Sequence, residues 1–373
     1  MRFLFMPLPA VGHAFPMVPL AWALRNAGHE VTFLTGFDGA DVRNAGFPVV
    51  DAMPAEQTKN DGFPRIVGEN PALFRSMAHL SDEEIRALKP AVVKLWDGEH
   101  DAFVAHAERL EPDLIFFDPV FNAGLAAAAV LQVPAIGHNY MLKRYAPEFV
   151  REHAPRAFER HGVDLPKKLA LLDIGPPPLM EDGPSTWHAR YVPYNGGGLL
   201  PDWLLDPPSR PRVAISLGTP LPHRTGTERF THVLDAVREV DADFALTVSE
   251  STAATLGPLP DNVRITGWLP LYELVRTCTA VIHHGGSGTM FSANAAGLPQ
   301  LIIPQGADND FNARAAERYG FALVGSVGTV DAALIGRLLT DDGLRTAAQR
   351  LRDEMQALPT PADLVPAITE FAS

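Results

Sequence analysis

Short apolar runs alternate with longer amphipathic segments along most of the chain. The first three are the run RFLFMP at residues 2–7, a helical pattern at 16–28 and the run VTFLT at 31–35. Runs that are apolar throughout are typical of parallel strands buried on both faces, and a helix between two of them forms a βαβ unit. This alternation predicts a doubly wound α/β sheet.

The same alternation occurs in both halves of the chain. In the first half, we predict further strands at residues 47–51, 113–118 and 134–138, and helices around 71–77 and 90–110. In the second half, we predict a helix near 228–239 and strands at 212–218, 244–249, 262–267, 280–284, 300–304 and 322–325. These are two Rossmann-like units, and each should present its ligands at the carboxyl ends of its strands.

A segment rich in glycine and proline separates the two halves. Neither periodicity continues through YNGGGLLPDWLLDPPSRPR, residues 194–212, and this composition is typical of a linker between domains. The chain has 373 residues, whereas single cores stop growing at about 250–300 residues. The predicted domains are 1–199 and 212–359, joined by a linker at 200–211 and followed by a last helix at 360–373.

Composition argues against several classes of partner. The 31 basic and 44 acidic residues give a formal charge of −13, so we expect neither nucleic acid nor an anionic membrane surface to bind. No apolar stretch reaches the about 20 residues that cross a bilayer, and residues 1–13 are interpreted as a strand rather than a signal peptide. The single cysteine, Cys278, permits no internal disulfide and favours a cytoplasmic location.

The stretch VIHHGGSGT, residues 281–289, lies where a predicted strand gives way to a helix beginning near Ser287. Its glycines allow the backbone to approach a ligand closely, and the amides that begin a helix favour an anion. His284 could add a hydrogen bond to a phosphate oxygen. The alternative is a glycine-eased turn in which Ser287 is the N-cap of the helix.

Two other sites compete for this stretch. A zinc site would use both histidines, but His283 and His284 are neighbours on a strand and point to opposite faces. We therefore expect His283 to be packed inside the sheet and His284 to face the ligand. The run GSGTMF, residues 286–291, also begins like a dinucleotide-binding G-x-G-x-x-G motif, but Phe291 replaces the third glycine.

Further residues at strand ends of the second half extend this site. An indole at Trp268 could stack on a flat heterocycle whose edge the backbone of Leu269 reads, or could belong to the core. The runs DND at 308–310 and DAD at 241–243 have the Asp-x-Asp form of a divalent cation site. Alternatively, the DND run caps a helix and contacts a polyol, and the DAD run is an exposed turn. We call the strand ends of the second half that form this site the rim. The residues predicted to bind the ligand along the rim are Ser216, Gly218, Thr219, Trp268, Leu269, His284, Gly286, Ser287, Gly288, Thr289, Asp308 and Asn309.

A second candidate site follows the first strand. His13 occupies the loop PAVGHAFP, residues 9–16, and an imidazole titrating near pH ~6.5 can remove a hydroxyl proton at neutral pH. In the common strand order 3-2-1-4-5, Asp118 emerges beside it, where a carboxylate would hold one ring nitrogen and leave the other as base. The alternatives are a loop histidine without a role and an aspartate that only forms a turn before Pro119.

Together these motifs resemble the GT-B nucleotide-sugar glycosyltransferases, particularly the bacterial enzymes that attach deoxysugars to polyketide, macrolide or enediyne antibiotics. The resemblance spans nearly the whole chain. It implies two Rossmann-like domains that face each other across a cleft, with the helix at 360–373 packed back on the first. It is carried by Gly12-His13 with Pro16, YVPYNGGG (191–198), PDWL (201–204), SLGT (216–219), GWLPL (267–271), HHGGSGT (283–289) and the run from 295 to 312.

The resemblance implies an inverting transfer that needs no metal or cofactor. His13, oriented by Asp118, would deprotonate a hydroxyl of a hydrophobic acceptor, while His284 and the turn at 287–289 would stabilise the leaving diphosphate. Leu271, where plant relatives carry glutamine, suits a thymidine diphosphate donor. Asn309 stands where relatives commonly carry glutamine, as expected for a deoxygenated sugar.

Other functions remain open at this stage. A nucleotide-sugar epimerase or hydrolase would need the donor site but no acceptor pocket. A non-catalytic partner of another glycosyltransferase would catalyse no reaction of its own. Aromatic residues favour an acceptor pocket, although they are equally compatible with a core. The sequence leaves open the acceptor, the sugar and whether the chain forms a homodimer. The predicted acceptor-binding residues are Phe15, Phe63, Phe74 and Met141.

Overall fold

The computed structural model describes residues 1–53, 100–121, 123–146, 148, 151, 155–218, 228–305 and 308–373. These residues form two compact units. The first comprises Met1–Tyr194 with Ala357–Ser373, and the second comprises Asn195–Gln356. No helix within the described ranges has the length and apolar character required to cross a membrane.

The first unit is built on a seven-stranded parallel sheet. Its strands are β1 (Arg2–Met6), β2 (Glu30–Gly36), β3 (Val49–Met53), β4 (Leu114–Phe117), β5 (Ala135–Asn139), β6 (Leu169–Asp173) and β7 (Trp187–His188). They lie in the order β3-β2-β1-β4-β5-β6-β7, which confirms the predicted 3-2-1-4-5 arrangement and adds two strands. β4 and β5 are buried along their whole length because helices cover both faces of such a sheet.

Helices of the first unit begin and end close to prolines and glycines. The helix predicted over 16–28 is instead a 3-10 turn (Phe15–Met17) followed by a helix over Val18–Asn26, since Pro16 and Pro19 each stand at the start of a segment. Proline lacks an N–H and is tolerated only in the first turn. The α-helices are α1 (Val11–Ala14), α2 (Val18–Asn26), α3 (His100–Leu110), α4 (Ala123–Leu131) and α5 (Pro155–His161).

The second unit repeats the architecture with six parallel strands in the order β10-β9-β8-β11-β12-β13. These are β8 (Arg212–Ser216), β9 (Asp243–Leu246), β10 (Val263–Ile265), β11 (Ala280–His283), β12 (Gln300–Ile302) and β13 (Ala322–Val324). Its helices are α6 (Asp202–Leu205), α7 (Glu228–Val237), α8 (Glu250–Ala253), α9 (Leu271–Val275), α10 (Ser287–Ala296), α11 (Asn309–Tyr319), α12 (Ala332–Thr340) and α13 (Asp342–Gln356).

Residues 200–211, predicted as a linker, belong to the second unit. They contain α6, whose Leu204 is buried in a cluster with Ala214, Leu269 and Leu274. Trp203 lies under the guanidinium of Arg212, which is 5.0 Å from the ring centroid. The proline-rich composition predicted a boundary here, but these apolar side chains attach the segment to the second unit.

The end of the chain returns to the first unit. The last helix, α14 (Val365–Ala372), places Thr369 Oγ1 3.3 Å from His29 Nε2. The ring of Phe371 packs edge-on against Trp187 at 5.6 Å between centroids. The first unit is therefore assembled from both ends of the sequence.

Candidate functional site

Two polar side chains meet at the carboxyl edge of the first sheet. β1 and β4 are neighbours and run in the same direction, so the chain leaves both strands at the same edge. His13 lies in α1, which follows β1, and Asp118 directly follows β4. Their side chains are in contact, with His13 Nδ1 2.6 Å from Asp118 Oδ2.

The carboxylate of Asp118 is held in place by the backbone. It is fully buried, and its oxygens accept the N–H of Leu8 at 3.4 Å and of Val120 at 2.9 Å. An ionised carboxylate only accepts hydrogen bonds, so Nδ1 of His13 must carry the proton between them. This tautomer leaves a lone pair on Nε2, as a base requires, and 24% of the His13 side chain is exposed to solvent.

Sequence reasoning missed a third group at this edge. Tyr140 directly follows β5, the neighbour of β4. Its hydroxyl lies 2.7 Å from Nδ1 and 2.9 Å from Nε2 of His13. The signal was present in the predicted strand order, because the residue after the fifth strand must emerge beside the residue after the fourth.

The second sheet carries a glycine turn, residues 284–288, at the carboxyl end of β11. α10 begins at Ser287, and its N-cap is Gly286, which offers no side chain to cap the helix. The alternative in which Ser287 is the N-cap is therefore wrong. Because no side chain caps it, the positive end of the helix dipole is directed at the space before α10, where an anion is favoured.

His283 is part of the sheet interior, as predicted. It is fully buried, and burial lowers the pKa of its imidazole to about 3. Its Nδ1 accepts the N–H of Gly285 at 3.0 Å, so Nε2 carries the proton and donates to Gln300 Oε1 at 2.8 Å. Both ring nitrogens are thus engaged, which is incompatible with the paired-histidine zinc site.

His284 has a different environment. It is only partly buried, and its Nδ1 lies 3.3 Å from the carbonyl oxygen of Ser216 at the end of β8. The ring covers Gly286 so closely that a Cβ there would lie 2.5 Å from His284 Nε2. The two histidines therefore face different surroundings, and the glycine turn makes room for the second ring.

A buried asparagine attaches the glycine turn to α11. Asn312 Nδ2 donates to the carbonyl of Gly285 at 2.8 Å and lies 3.2 Å from both Ser287 Oγ and Asp308 Oδ2. Asp308 holds the N-cap position of α11, but its side chain caps nothing and accepts from Ser287 instead. Asn309, whose Nδ2 donates to Asp308 Oδ1 at 3.3 Å, is buried.

The remaining rim residues are exposed to different degrees. Trp268 is 70% exposed, which rules out the core alternative, whereas Leu269 is buried. Gly218 adopts φ +77° directly after β8, a conformation that favours glycine. Thr219 lies outside the described residues.

Two of the four predicted acceptor residues lie within the described part of the chain. Phe15 is buried and contacts the ring of Tyr194 at 4.9 Å between centroids. Met141 is also buried, and it follows Tyr140 at the edge that carries His13. Phe63 and Phe74 lie outside the described residues, so the acceptor pocket stays a prediction.

Two further groups of titratable side chains lie away from the two sites described above. Asp241 and Asp243 both pair with the guanidinium of Arg210, so the DAD run leads into β9 with both carboxylates bound to an arginine. Within the described ranges, no three His, Cys, Asp or Glu side chains are grouped to hold a metal ion. Burial raises the pKa of the Cys278 thiol to about 12, which leaves it protonated and unreactive.

Comparison with known proteins covers nearly the whole chain. Residues 22–218 match the N-terminal domain, and residues 231–371 the C-terminal domain, of the erythromycin biosynthesis protein CIII-like family. The elloramycin glycosyltransferase ElmGT of Streptomyces olivaceus is 37% identical over 369 residues, covering 98% of this chain and 96% of that protein.

Two solved structures illustrate the similarity of fold. The glycosyltransferase SnogD of Streptomyces nogalater superposes with a TM-score of 0.84 at 35% identity, covering 100% of this chain and 99% of that one. The spinosyn rhamnosyltransferase SpnG complexed with thymidine diphosphate gives a TM-score of 0.82 at 29% identity, covering 99% and 100%. SpnG has also been solved with spinosyn aglycone.

Proposed function

The chain belongs to the erythromycin biosynthesis protein CIII-like family and is a natural-product glycosyltransferase of GT-B fold, and from this premise we propose its reaction. It is an inverting enzyme that moves a deoxysugar from thymidine diphosphate to a hydroxyl of a hydrophobic acceptor. It uses neither a metal ion nor a cofactor. The relatives named above are glycosyltransferases, which favours this function over an epimerase, a hydrolase or a non-catalytic partner.

His13 is the general base, and its 2.6 Å contact with Asp118 is the observation that carries the proposal. Nε2 takes the proton of the acceptor hydroxyl while that oxygen forms a bond to the anomeric carbon. The bond from this carbon to the diphosphate breaks on the opposite side, so a single displacement inverts the centre. The buried carboxylate of Asp118 stabilises the imidazolium that results.

The leaving diphosphate is stabilised by the second unit. Negative charge grows on its oxygens as the glycosidic bond breaks, and the start of α10 with His284 offers preorganised donors for this charge. The N-cap glycine and the ring of His284 above it support this assignment. The exposed indole of Trp268 stacks on the nucleobase, and Asp308 and Asn309 bind sugar hydroxyls.

Thymidine diphosphate is the favoured nucleotide because SpnG, of the same fold, has been solved with it. A metal ion is not required in the proposal, because donors from α10 and His284 supply the positive charge that a cation would otherwise provide. The DAD run is in any case occupied by Arg210.

Nucleotide binding tests the donor half of the proposal. A ligand that binds only the native state stabilises it. We therefore expect thymidine diphosphate to raise the thermal unfolding midpoint more than uridine or guanosine diphosphate does. The increase should be the same in the presence of magnesium and in the presence of EDTA. No shift with any of the three would reject the donor site. A shift that appears only with magnesium would reject the metal-independent mechanism.

Substitution of His13 tests the catalytic half. We expect His13→Ala to lower the transfer rate about 10²- to 10⁴-fold, the usual contribution of a general base, while the shift caused by thymidine diphosphate is unchanged. Hydroxylated polyketide aglycones screened with thymidine diphosphate glucose supply the assay, with release of the nucleotide as readout. His232→Ala, on the exposed face of α7, is the matched control, and a His13→Ala rate equal to it would reject the base.

A further inference from the structure

Asn195 joins two parts of the donor site proposed above. It is the first residue of the second unit and is partly buried. Its Oδ1 accepts the backbone N–H of Tyr272 at 3.0 Å, and its Nδ2 donates to Ser292 Oγ at 3.4 Å. A backbone N–H can only donate, so Tyr272 fixes the orientation of the amide, and the NH₂ group is the one that faces Ser292. The side chain therefore bridges α9 and α10.

On one side, Asn195 completes the start of α9. The N-cap of α9 is Pro270, which makes no side-chain hydrogen bond to the helix, and the first amides of a helix lack partners within it. The carbonyl of Asn195 takes the place of a capping side chain, although it is 77 residues distant in sequence. Trp268 and Leu269 immediately precede this helix start. The same bond therefore holds residues 268–272, which we call the base segment.

On the other side, Asn195 contacts the middle of α10. Ser292 is fully buried, and its hydroxyl donates to the carbonyl of Gly288 at 2.7 Å. A hydroxyl that donates one hydrogen bond can still accept another, so the contact from Asn195 is compatible with this bond. Gly288 belongs to the glycine turn, at which the leaving diphosphate is stabilised in the proposed reaction. Two successive hydrogen bonds thus connect Asn195 to that turn.

The residues that follow Asn195 lie against the base segment. A Cβ at Gly198 would lie 2.9 Å from Pro270 Cδ and 3.7 Å from Leu269 Cα. A Cβ at Gly197 would meet no atom within 4 Å. The chain therefore approaches the base segment closely at a second point, three residues beyond the amide of Asn195.

The amide adds a directional restraint to the apolar packing of the two helices. Leu274 of α9 and Ala293 of α10 share a buried cluster with Leu269. Hydrophobic burial is non-directional, whereas a hydrogen bond weakens steeply as its angle departs from linear. The two bonds of Asn195 therefore restrain the position of α9 relative to α10 in a way that the cluster does not.

We propose that Asn195 is a positioning residue that sets the distance between the nucleobase and diphosphate subsites. Thymidine diphosphate has a limited covalent span, so it gains the contacts of both subsites only if their spacing matches that span. Asn195 acts through Tyr272 and Ser292 and not by contact with the nucleotide. This inference rests on the proposed donor site.

Ligand fragments test the spacing directly. We expect Asn195→Ala to weaken the binding of thymidine diphosphate about five- to tenfold, the effect of one hydrogen bond. The affinities for thymidine and for inorganic pyrophosphate should stay unchanged, because each fills one subsite. Titration calorimetry measures the first affinity, and ligand-observed NMR measures the two weaker ones. An undiminished affinity for thymidine diphosphate would overturn the proposal, and so would an equal loss for all three ligands.

Asn262→Ala is the matched control for stability. Asn262 Nδ2 donates to the carbonyls of Val237, Val240 and Ala242, at the edge of the second sheet where β9 and β10 begin. Its removal should destabilise the same unit at the edge opposite the donor site, so we expect full affinity for thymidine diphosphate. A loss of affinity equal to that of Asn195→Ala would assign the effect to stability and contradict the positioning role.

A double-mutant cycle tests the contact with α10. Ser292→Ala removes the acceptor of the Asn195 amide, so it should also weaken the binding of thymidine diphosphate. In this background Asn195→Ala should have a smaller effect than in the unaltered protein, because side chains that share a contact are not additive. Fully additive losses would show that the bridge between α9 and α10 has no role in binding.

The donor site and the role of Asn195 fail in different ways. If thymidine diphosphate does not bind to the unaltered protein, the donor site is rejected and this inference with it. If it binds equally well to the unaltered protein and to Asn195→Ala, the donor site is intact and only the positioning role is rejected. Circular dichroism and the unfolding midpoint without nucleotide show whether each variant is folded.

Discussion

The ring of His284 lies against the backbone of two glycines. A Cβ at Gly218 would lie 3.3 Å from His284 Cε1, and one at Gly286 would lie 2.5 Å from Nε2. Gly286 has φ −64° and ψ 138°, a conformation that every residue adopts. Its lack of a side chain is therefore required by the neighbouring ring and not by the backbone.

Because the backbone at Gly286 accepts any residue but the His284 ring leaves no room for a side chain, a substitution there should fold normally but bind the nucleotide poorly. We expect Gly286→Ala to push the His284 ring aside and to weaken thymidine diphosphate binding about 10- to 100-fold, the effect of losing one hydrogen bond to a charged group. Titration calorimetry measures the affinity. Gly336→Ala, in α12 where a Cβ meets no atom within 4 Å, is the control, and equal affinity of the two variants would contradict the prediction.

The role of Asn312 in holding the glycine turn could not be predicted from the sequence. The glycines, His284 and Asp308 stand out in the sequence because their types suggest chemistry. An asparagine within a helix does not. Its bonds to Gly285 and Ser287 depend on how the start of α11 packs against the turn that follows β11. Tyr140 was missed for a similar reason, since a tyrosine after a strand is ordinarily a packing residue.

At the scale of elements, α11 and the glycine turn form one assembly. Asn312→Ala removes the donor that the carbonyl of Gly285 receives at 2.8 Å, which should destabilise the second unit by about 1–3 kcal/mol. Nucleotide affinity should fall with it, because the turn loses its anchor. Chemical denaturation and titration calorimetry measure the two effects.

Glu317→Ala provides the comparison on the same helix. Glu317 is exposed on α11, so its removal should change stability by no more than about 0.5 kcal/mol. If Asn312→Ala were as stable and as active as Glu317→Ala, the asparagine would not hold the turn.

The elements themselves were largely predictable from hydrophobic pattern. Runs such as LIFF in β4 are apolar throughout because both faces of the strand are buried, and most of them were placed within one or two residues, although β9 ends three residues earlier than predicted. β6, with the sequence LALLD, was missed although it has the same apolar character. β7 has only two residues, too few for a periodicity.

The whole molecule carries a buried neutral histidine in each unit. Burial lowers the pKa of His138 to about 4 in the first unit and of His283 to about 3 in the second. The unfolded chain, with an ordinary imidazole pKa of about 6.5, binds protons that the folded chain does not. Below the unfolded pKa of about 6.5, unfolding therefore takes up protons, and the free energy of unfolding decreases as the pH falls toward the folded pKa values.

We expect the free energy of unfolding to decrease by about 1.4 kcal/mol per pH unit for each of these histidines between about pH 6 and pH 4. Urea titrations at a series of pH values measure the slope. His138→Gln, which cannot titrate, should reduce the slope while the other histidine keeps its share. A slope that this substitution does not change would contradict the assignment.

The division of the chain was the least predictable feature at this scale. Proline and glycine density placed a boundary at 200–211, whereas the units separate between Tyr194 and Asn195. Composition reports where regular structure stops but not to which core the irregular segment is attached. That attachment depends on Leu204 and Trp203, whose partners are distant in sequence.

The return of the last residues to the first unit has a consequence for biosynthesis. Residues Ala357–Ser373 are translated after the whole second unit, yet they belong with Met1–Tyr194. The second unit is one uninterrupted stretch and can be completed while those residues are still being translated, since domains generally fold as units. The first unit, most of which is translated before the second unit, can therefore be completed only after the second unit has been synthesised.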